Sequence, residues 1–196
     1  MPRLFTGIEL PEDIVRRLSM LRAGLNGASW IDPENYHITM RFVGDISDED
    51  ACHFADALAD IHFDSFEMEL SGLGSFGGNK PRSLWAAVKP SPALALLQKG
   101  HERAARRAGL PPETRNFVPH VTLARLRNVS PFAAAEYLAR HGGFFAAPFP
   151  VSRFVLFSSR PNHGGGPYLV EEGYPSWDNA FAEDDEAALN RRQAWA

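Results

Sequence analysis

The chain has a single cysteine, Cys52, which forms no internal disulfide and is a poor foundation for a structural zinc site. It has no apolar run approaching the about eighteen uncharged residues of a membrane-spanning helix. The opening MPRLFTGIELPED places Glu9, Glu12 and Asp13 where a secretory leader needs its apolar stretch. Excess charge is scarce too: the net is −4 over 196 residues, which excludes a general nucleic-acid coat. With 44% hydrophobic and 22% charged residues, wholesale disorder and fibrous architectures are excluded as well. The expectation is a soluble cytoplasmic protein without a membrane partner. No exposed heptad or long apolar stripe announces an interface, so a monomer is expected.

What charge there is lies unevenly. Residues 171–196 hold seven acids against two bases, a net of −5, whereas the other 170 residues are close to neutral at +1. This divides the chain into a body, 1–174, and an acidic C-terminal tail, 175–196. A near-neutral body suits a small or terminal anion better than a long duplex.

Along the body, strands and helices alternate. Strand patterns cover 3–10, 36–43, 65–71, 83–89, 117–127, 150–158 and 167–173, the last two pairing around a Gly-rich turn at 163–166. Helical spacing covers 12–25, 48–60, 92–108 and 131–140, with Leu94, Leu97 and His101 on one side of the third. Residues 72–80 read as a flexible Gly-rich connection.

Several cofactor motifs are matched only on paper. GLGSFG at 72–77 has dinucleotide-fingerprint spacing but leads into the strand SLWAAV instead of a helix, and Leu97 stands where the ribose-binding acid is needed. GGNKP lacks the Lys-Ser/Thr pair of a phosphate loop. His101-Glu102 lacks the second histidine of a zinc helix, that position being Ala105. No cofactor and no metal is implied.

The chemistry lies in two tetrads, His37-Ile38-Thr39-Met40 and His120-Val121-Thr122-Leu123, 83 positions apart. In a strand, residues i and i+2 share a face, so each tetrad presents a histidine and a threonine together and buries its apolar pair. Two such strands on one cleft offer two imidazoles and two hydroxyls to one small ligand. That set suits a phosphate ester. One imidazole takes a proton from water while the other protonates the leaving oxygen. The hydroxyls donate to the non-bridging oxygens. A lone His-x-Thr would signify little, since threonine favours strands anyway. Two matched copies signify much more.

HITMRFVGD and PHVTLARLR resemble the paired HxTx motifs of the two-histidine (2H) phosphoesterases, in their LigT-like RNA 2′,3′-cyclic phosphodiesterase branch. RLFTGIELPED, SGLGSFGGNKPRSLWAAV and ARRAGLPPETRNFVPHVTLAR extend the resemblance over residues 3–174. It implies an α+β fold of two similar lobes, each an antiparallel sheet with outer helices, and an active-site cleft between them. It also implies that His37 donates a proton to the departing ribose 3′-oxygen, that His120 activates the attacking water, and that Thr39 and Thr122 bind the phosphate. The reaction implied opens a terminal 2′,3′-cyclic phosphate to a 2′-phosphate without metal. RNA termini or nucleotides bearing that group, tRNA fragments among them, are the implied partners. The rival readings are a 2′–5′ RNA ligase acting on tRNA halves and a non-catalytic binder of RNA ends.

Phe42 and Arg125 each lie five residues after a tetrad histidine, where the family holds a nucleobase between ring and guanidinium. Strict alternation places both on the face opposite the histidines, so they reach the cleft only if the strands bulge. Arg41 alternates onto the face of His37 and Thr39, which makes it a candidate phosphate contact.

Overall fold

The computed structural model describes residues 2–159 and 167–179. The Gly-rich turn expected at 163–166 and the acidic tail beyond Asn179 lie outside the described residues. In chain order the strands are β1 (Arg3–Glu9), β2 (Ala28–Trp30), β3 (His37–Asp45), β4 (Phe66–Phe76), β5 (Ser83–Val88), β6 (His120–Leu126), β7 (Phe145–Val151), β8 (Arg153–Ser159) and β9 (Tyr168–Pro175). The helices are α1 (Glu12–Ser19), α2 (Asp48–Ala59), α3 (Pro92–Arg107) and α4 (Pro131–His141), with a short 3₁₀ turn at Pro33–Asn35. The fold is α+β.

All pairings are antiparallel, and the strand order is β7-β4-β5-β6-β3-β1-β8-β9, with β2 added alongside β6. Two lobes meet in the middle of this order. β3 and β6 touch through a single register pair, Ile38 opposite Val121, whereas every other junction on the path is a ladder. A central lobe therefore comprises β2 and β4–β7. A terminal lobe comprises β1, β3, β8 and β9, drawn from both ends of the body.

Helices cover one side of each lobe. α3 packs on β3, α2 packs on α3 and β9, and α4 packs on β4. Ser47, Ser91 and Ser130 cap α2, α3 and α4 by accepting from the backbone N–H three residues on, at 3.0, 3.2 and 3.1 Å. Pro92 and Pro131 then fill first-turn positions where a missing N–H costs nothing. Ile38, Met40, Val121 and Leu123 are buried under this layer, which leaves the histidine–threonine face of both strands open. His101 is fully buried on α3, its ring 4.4 Å from that of Phe154.

Four elements differ from the sequence expectation. The first helix ends at Ser19 instead of Leu25, because the chain tightens to Leu21→Leu18 and Arg22→Ser19 turns before Gly24 takes φ +79°. β4 runs on through Phe76, so the glycines at 72 and 74 lie within a strand and the turn begins at Gly77. β7 escaped detection since FAAPFPV carries Pro148 and Pro150, and it is an edge strand, where proline is tolerated. β2, with three residues, is too short to show a period. Past Pro175 the chain docks on the body: the Trp177 N–H donates to the Phe63 carbonyl at 2.8 Å, and Asp178 accepts from Ser65 N–H at 3.0 Å.

Candidate active site

The single β3–β6 pair brings the two tetrads side by side. His37, Thr39, His120 and Thr122 line one cavity of about 890 Å³. Each imidazole is fixed in the same way. His37 Nδ1 lies 2.8 Å from the Asn35 carbonyl, and His120 Nδ1 lies 2.6 Å from the Val118 carbonyl. A carbonyl only accepts, so both Nδ1 atoms carry the proton and both Nε2 atoms carry the lone pair. The paired residue is two positions earlier in each case, a device repeated in both lobes.

The fourth residue of each tetrad is an extra residue in its ladder. Gly7 pairs with Thr39 and Thr6 with Arg41, which skips Met40. Trp85 pairs with Thr122 and Leu84 with Ala124, which skips Leu123. Each bulge inverts the alternation beyond it. Phe42 and Arg125 therefore come round to the histidine face, and both line the cavity. Phe42 is 38% exposed, with the Arg3 guanidinium 5.4 Å from the centre of its ring.

The same bulge corrects the placement of Arg41. Strict alternation puts it beside His37 and Thr39. The extra residue instead turns it inward to 7% exposure, at the margin of the cavity. Its Nε donates to Glu102 at 2.9 Å, and its two terminal nitrogens donate to the Phe42 and Pro111 carbonyls. Glu102 in turn accepts from the Glu113 N–H at 3.3 Å. Arg41 thus ties the cleft-lining segment 111–118 to α3. A buried guanidinium held by a carboxylate and two carbonyls is a structural clamp.

Sequence reasoning reached one of the walls, Trp85 at the start of β5, and missed the others. Phe5, Phe157 and Tyr168 surround His37 with ring centres at 4.8, 5.5 and 5.1 Å. Phe76 and Trp85 flank His120 at 5.0 and 5.9 Å. These rings arrive from strands distant in sequence, and no local pattern marks them. Asn35 was also missed. Its carbonyl holds His37, while its side-chain oxygen accepts from the Tyr168 N–H at 3.0 Å, tying the 3₁₀ turn to β9. Gly74 has a specific reason to be glycine: a Cβ there would lie 2.3 Å from the Trp85 ring.

Burial dominates the electrostatics. It pushes His37 down to about 4, against a smaller upward pull from the Asn35 carbonyl, with the nearby His120 lowering it further. Burial also lowers His120, opposed by the Val118 carbonyl. Both rings are thus neutral at pH 7 in the free protein. His37 Nε2 lies 3.1 Å from Thr39 Oγ1 and accepts its proton. Among the described residues no group of three or more His, Cys, Asp or Glu side chains is placed to hold a metal ion. No helix among them is long and apolar enough to cross a membrane.

Two oriented imidazoles and two hydroxyls, repeated across a seam between lobes, define a phosphoesterase of the two-histidine class. Residues 8–85 and 87–168 match the family described as LigT like Phosphoesterase, and the chain belongs to that family. An RNA 2′,3′-cyclic phosphodiesterase of Aquifex aeolicus is 31% identical over 150 residues, 74% of this chain and 80% of the relative. One from Aeropyrum pernix is 37% identical over 115 residues, 58% of this chain and 65% of the relative. One from Thermotoga maritima is 27% identical over 176 residues, 86% of this chain and 92% of the relative. Among solved structures, Escherichia coli LigT complexed with 3′-AMP superposes with a TM-score of 0.74 at 24% identity, covering 90% of this chain and 99% of that one. A crystal structure of a phosphoesterase gives a TM-score of 0.75 at 24% identity, covering 89% and 98%. At that identity the likeness establishes the fold.

Proposed function

We propose that this chain hydrolyses the terminal 2′,3′-cyclic phosphate of RNA to a 2′-phosphate, with His120 as general base and His37 as general acid. The carrying observation is that two imidazoles share one cavity, each with Nδ1 locked on a backbone carbonyl, so that Nε2, bonded in His37 to the Thr39 hydroxyl, is the nitrogen that reacts. His120, beside the exposed Val118, is the more open of the two and suits the activation of water. Its Nε2 takes a proton as the water oxygen bonds to phosphorus. The P–O3′ bond breaks, and His37 Nε2–H delivers its proton to O3′. The products are a 2′-phosphate and a free 3′-hydroxyl, and exchange with solvent resets both rings.

The acid must be charged before the step, whereas the free protein keeps His37 neutral. The substrate supplies the correction: a phosphodiester monoanion beside His37 favours the imidazolium. Once Nε2 carries a proton, Thr39 Oγ1 is freed from donating to it and turns to a non-bridging oxygen, opposite Thr122. The nucleobase lies between the Phe42 ring and the Arg125 guanidinium. Support for ribonucleotide occupancy comes from the E. coli LigT complex with 3′-AMP.

The test is turnover of a 2′,3′-cyclic nucleotide and of a short RNA ending in that group, in excess EDTA, with the phosphate isomers separated chromatographically. Turnover to the 2′-phosphate that disappears in His37→Ala and His120→Ala is the expected result. Release of the 3′-phosphate, or full activity in either variant, would sink the assignment.

A further inference from the structure

The cleft opens onto two surfaces of opposite charge, and that decides which way a polyanion leaves it. Behind His37 lies a second cavity of about 400 Å³, whose rim carries Glu12 and Glu34 against Arg16, together with Glu9, which is paired with Arg153 at 2.5 Å. A phosphate chain is repelled there.

On the central lobe the balance reverses. Of the four arginines that line the main cavity, Arg3 and Arg41 belong to the terminal lobe, Arg125 to the central lobe and Arg115 to the segment before β6. Arg3 pairs with Asp45 at 3.8 Å, Arg41 with Glu102 at 2.9 Å and Arg115 with Glu113 at 2.7 Å. Arg125 alone has no carboxylate partner among the described residues. Arg127 and Lys80 are exposed and equally unpaired among the described residues.

Register aligns these cations. Phe76 pairs with Ser83, Ser83 with Arg125, and Arg125 with Ser29, which forms one row across β4, β5, β6 and β2. One residue past the end of β6, Arg127 is exposed like Arg125, with Leu126 buried between them, and two residues at strand rise put it about 6.7 Å from Arg125. That is of the order of the separation of successive phosphates on an extended strand. Its backbone is fixed, since Arg127 N–H donates to the Gly27 carbonyl at 3.0 Å. Gly27 sits so close that a Cβ would meet the Arg127 carbonyl oxygen at 2.6 Å. Lys80 lies at the tip of the β4–β5 hairpin, where its N–H donates to the Gly77 carbonyl at 2.9 Å, just beyond the Phe76–Ser83 pair.

We propose that the 5′ side of the substrate leaves the cleft across the central lobe, with Arg127 and Lys80 holding its phosphates. The inference rests on the reading of the cleft as a cyclic-phosphate site. Recognition is by charge and strand geometry, so it is indifferent to base sequence.

The test compares a 2′,3′-cyclic mononucleotide with a four-nucleotide RNA ending in the same group, for wild type, Arg127→Gln, Lys80→Gln and the double variant. Two phosphate contacts on a single strand amount to roughly twentyfold in affinity at 0.1 M monovalent salt. The double variant is expected to lose about that factor in kcat/KM on the RNA, with its salt slope shallower by about 1.4. Its turnover of the mononucleotide is expected to be unchanged, which also shows that it folds. Equal loss on both substrates, or loss on neither, overturns the proposal. If wild type turns over neither substrate, binding of the same RNA by fluorescence anisotropy separates the two ideas. A twentyfold loss of affinity in the double variant upholds the strand track while the hydrolytic reading fails, and unchanged affinity overturns the track as well.

Discussion

His37 and His120 hang from the same backbone device, Nδ1 on a carbonyl two residues earlier, yet their surroundings differ. His37 sits among three rings from β1, β8 and β9, and its Nε2 is occupied by Thr39. His120 is flanked by two rings of the central lobe and stands beside the exposed Val118. The backbone sets which nitrogen does chemistry, and the walls set how hard it is to protonate. Two environments that hold like groups at different proton affinities are what an acid–base pair requires.

Alanine at either histidine tests the comparison hardest. Each change is expected to cost about 10²–10⁴ in kcat, and the double variant little more, because the pair acts as one unit. Unequal losses, measured by single-turnover hydrolysis, would show that one half-site works without the other.

Acidification comes next. His37 and the wholly buried His101 are held down to about 4 and about 3, against about 6.5 in an unfolded chain. The unfolded state therefore takes up protons first. Stability is complete above pH 6.5 and is lost as pH falls, by about 1.4 kcal/mol per unit for each histidine. The loss from His37 continues to about pH 4 and that from His101 to about pH 3. Urea midpoints between pH 8 and 5 read this slope. His101→Leu should make it shallower without harm at pH 8, as neither ring nitrogen of His101 has a partner among the described residues. A profile flat from pH 8 to 5 would mean that neither ring resists protonation.

A glycine in each lobe offers a finer contrast. In Gly74→Ala the new Cβ meets the Trp85 ring at 2.3 Å, and in Gly7→Ala it meets the Ile38 carbonyl at 2.8 Å and the Phe157 ring at 3.1 Å. Each is expected to cost about 1–3 kcal/mol by overpacking. Histidine ring resonances in NMR should move for His120 in the first and for His37 in the second. Movement of both in either variant would show that the seam transmits strain between lobes.

The smallest effect separates the threonines. Thr39→Val removes the hydroxyl bonded to His37 Nε2 and is expected to raise the acid limb of the kcat/KM profile, together with a roughly tenfold loss in kcat. Thr122→Val is expected to lower kcat by a similar factor with no shift of that limb. Identical profiles would mean that Thr39 has no grip on His37.

The tetrads were legible because alternation within a strand is a local property, and two matched copies exceed what strand preference explains. The strands themselves came from the same period. The stretch after each histidine–threonine pair was not legible: the extra residues at Met40 and Leu123 exist only relative to partners in β1 and β5. That dependence moved Arg41 into a clamp and brought Phe42 and Arg125 into the cleft. The edge strand was hidden by its own prolines. The rings around His37 came from strands near the two ends of the body, and those around His120 from the hairpin between the tetrads. A tetrad carries no trace of either.

The interleaving of the lobes has a consequence for the nascent chain. β4–β7 can close the central lobe, and with it the surroundings of His120, while the ribosome is still extending the protein. Phe5 must wait for Phe157, its register partner in β8, and His37 waits for Tyr168 after that. Until then the paired β1 and β3 offer an open edge to any other strand. Translation thus completes the surroundings of His120 before those of His37, and the cleft is whole only when the last strands dock.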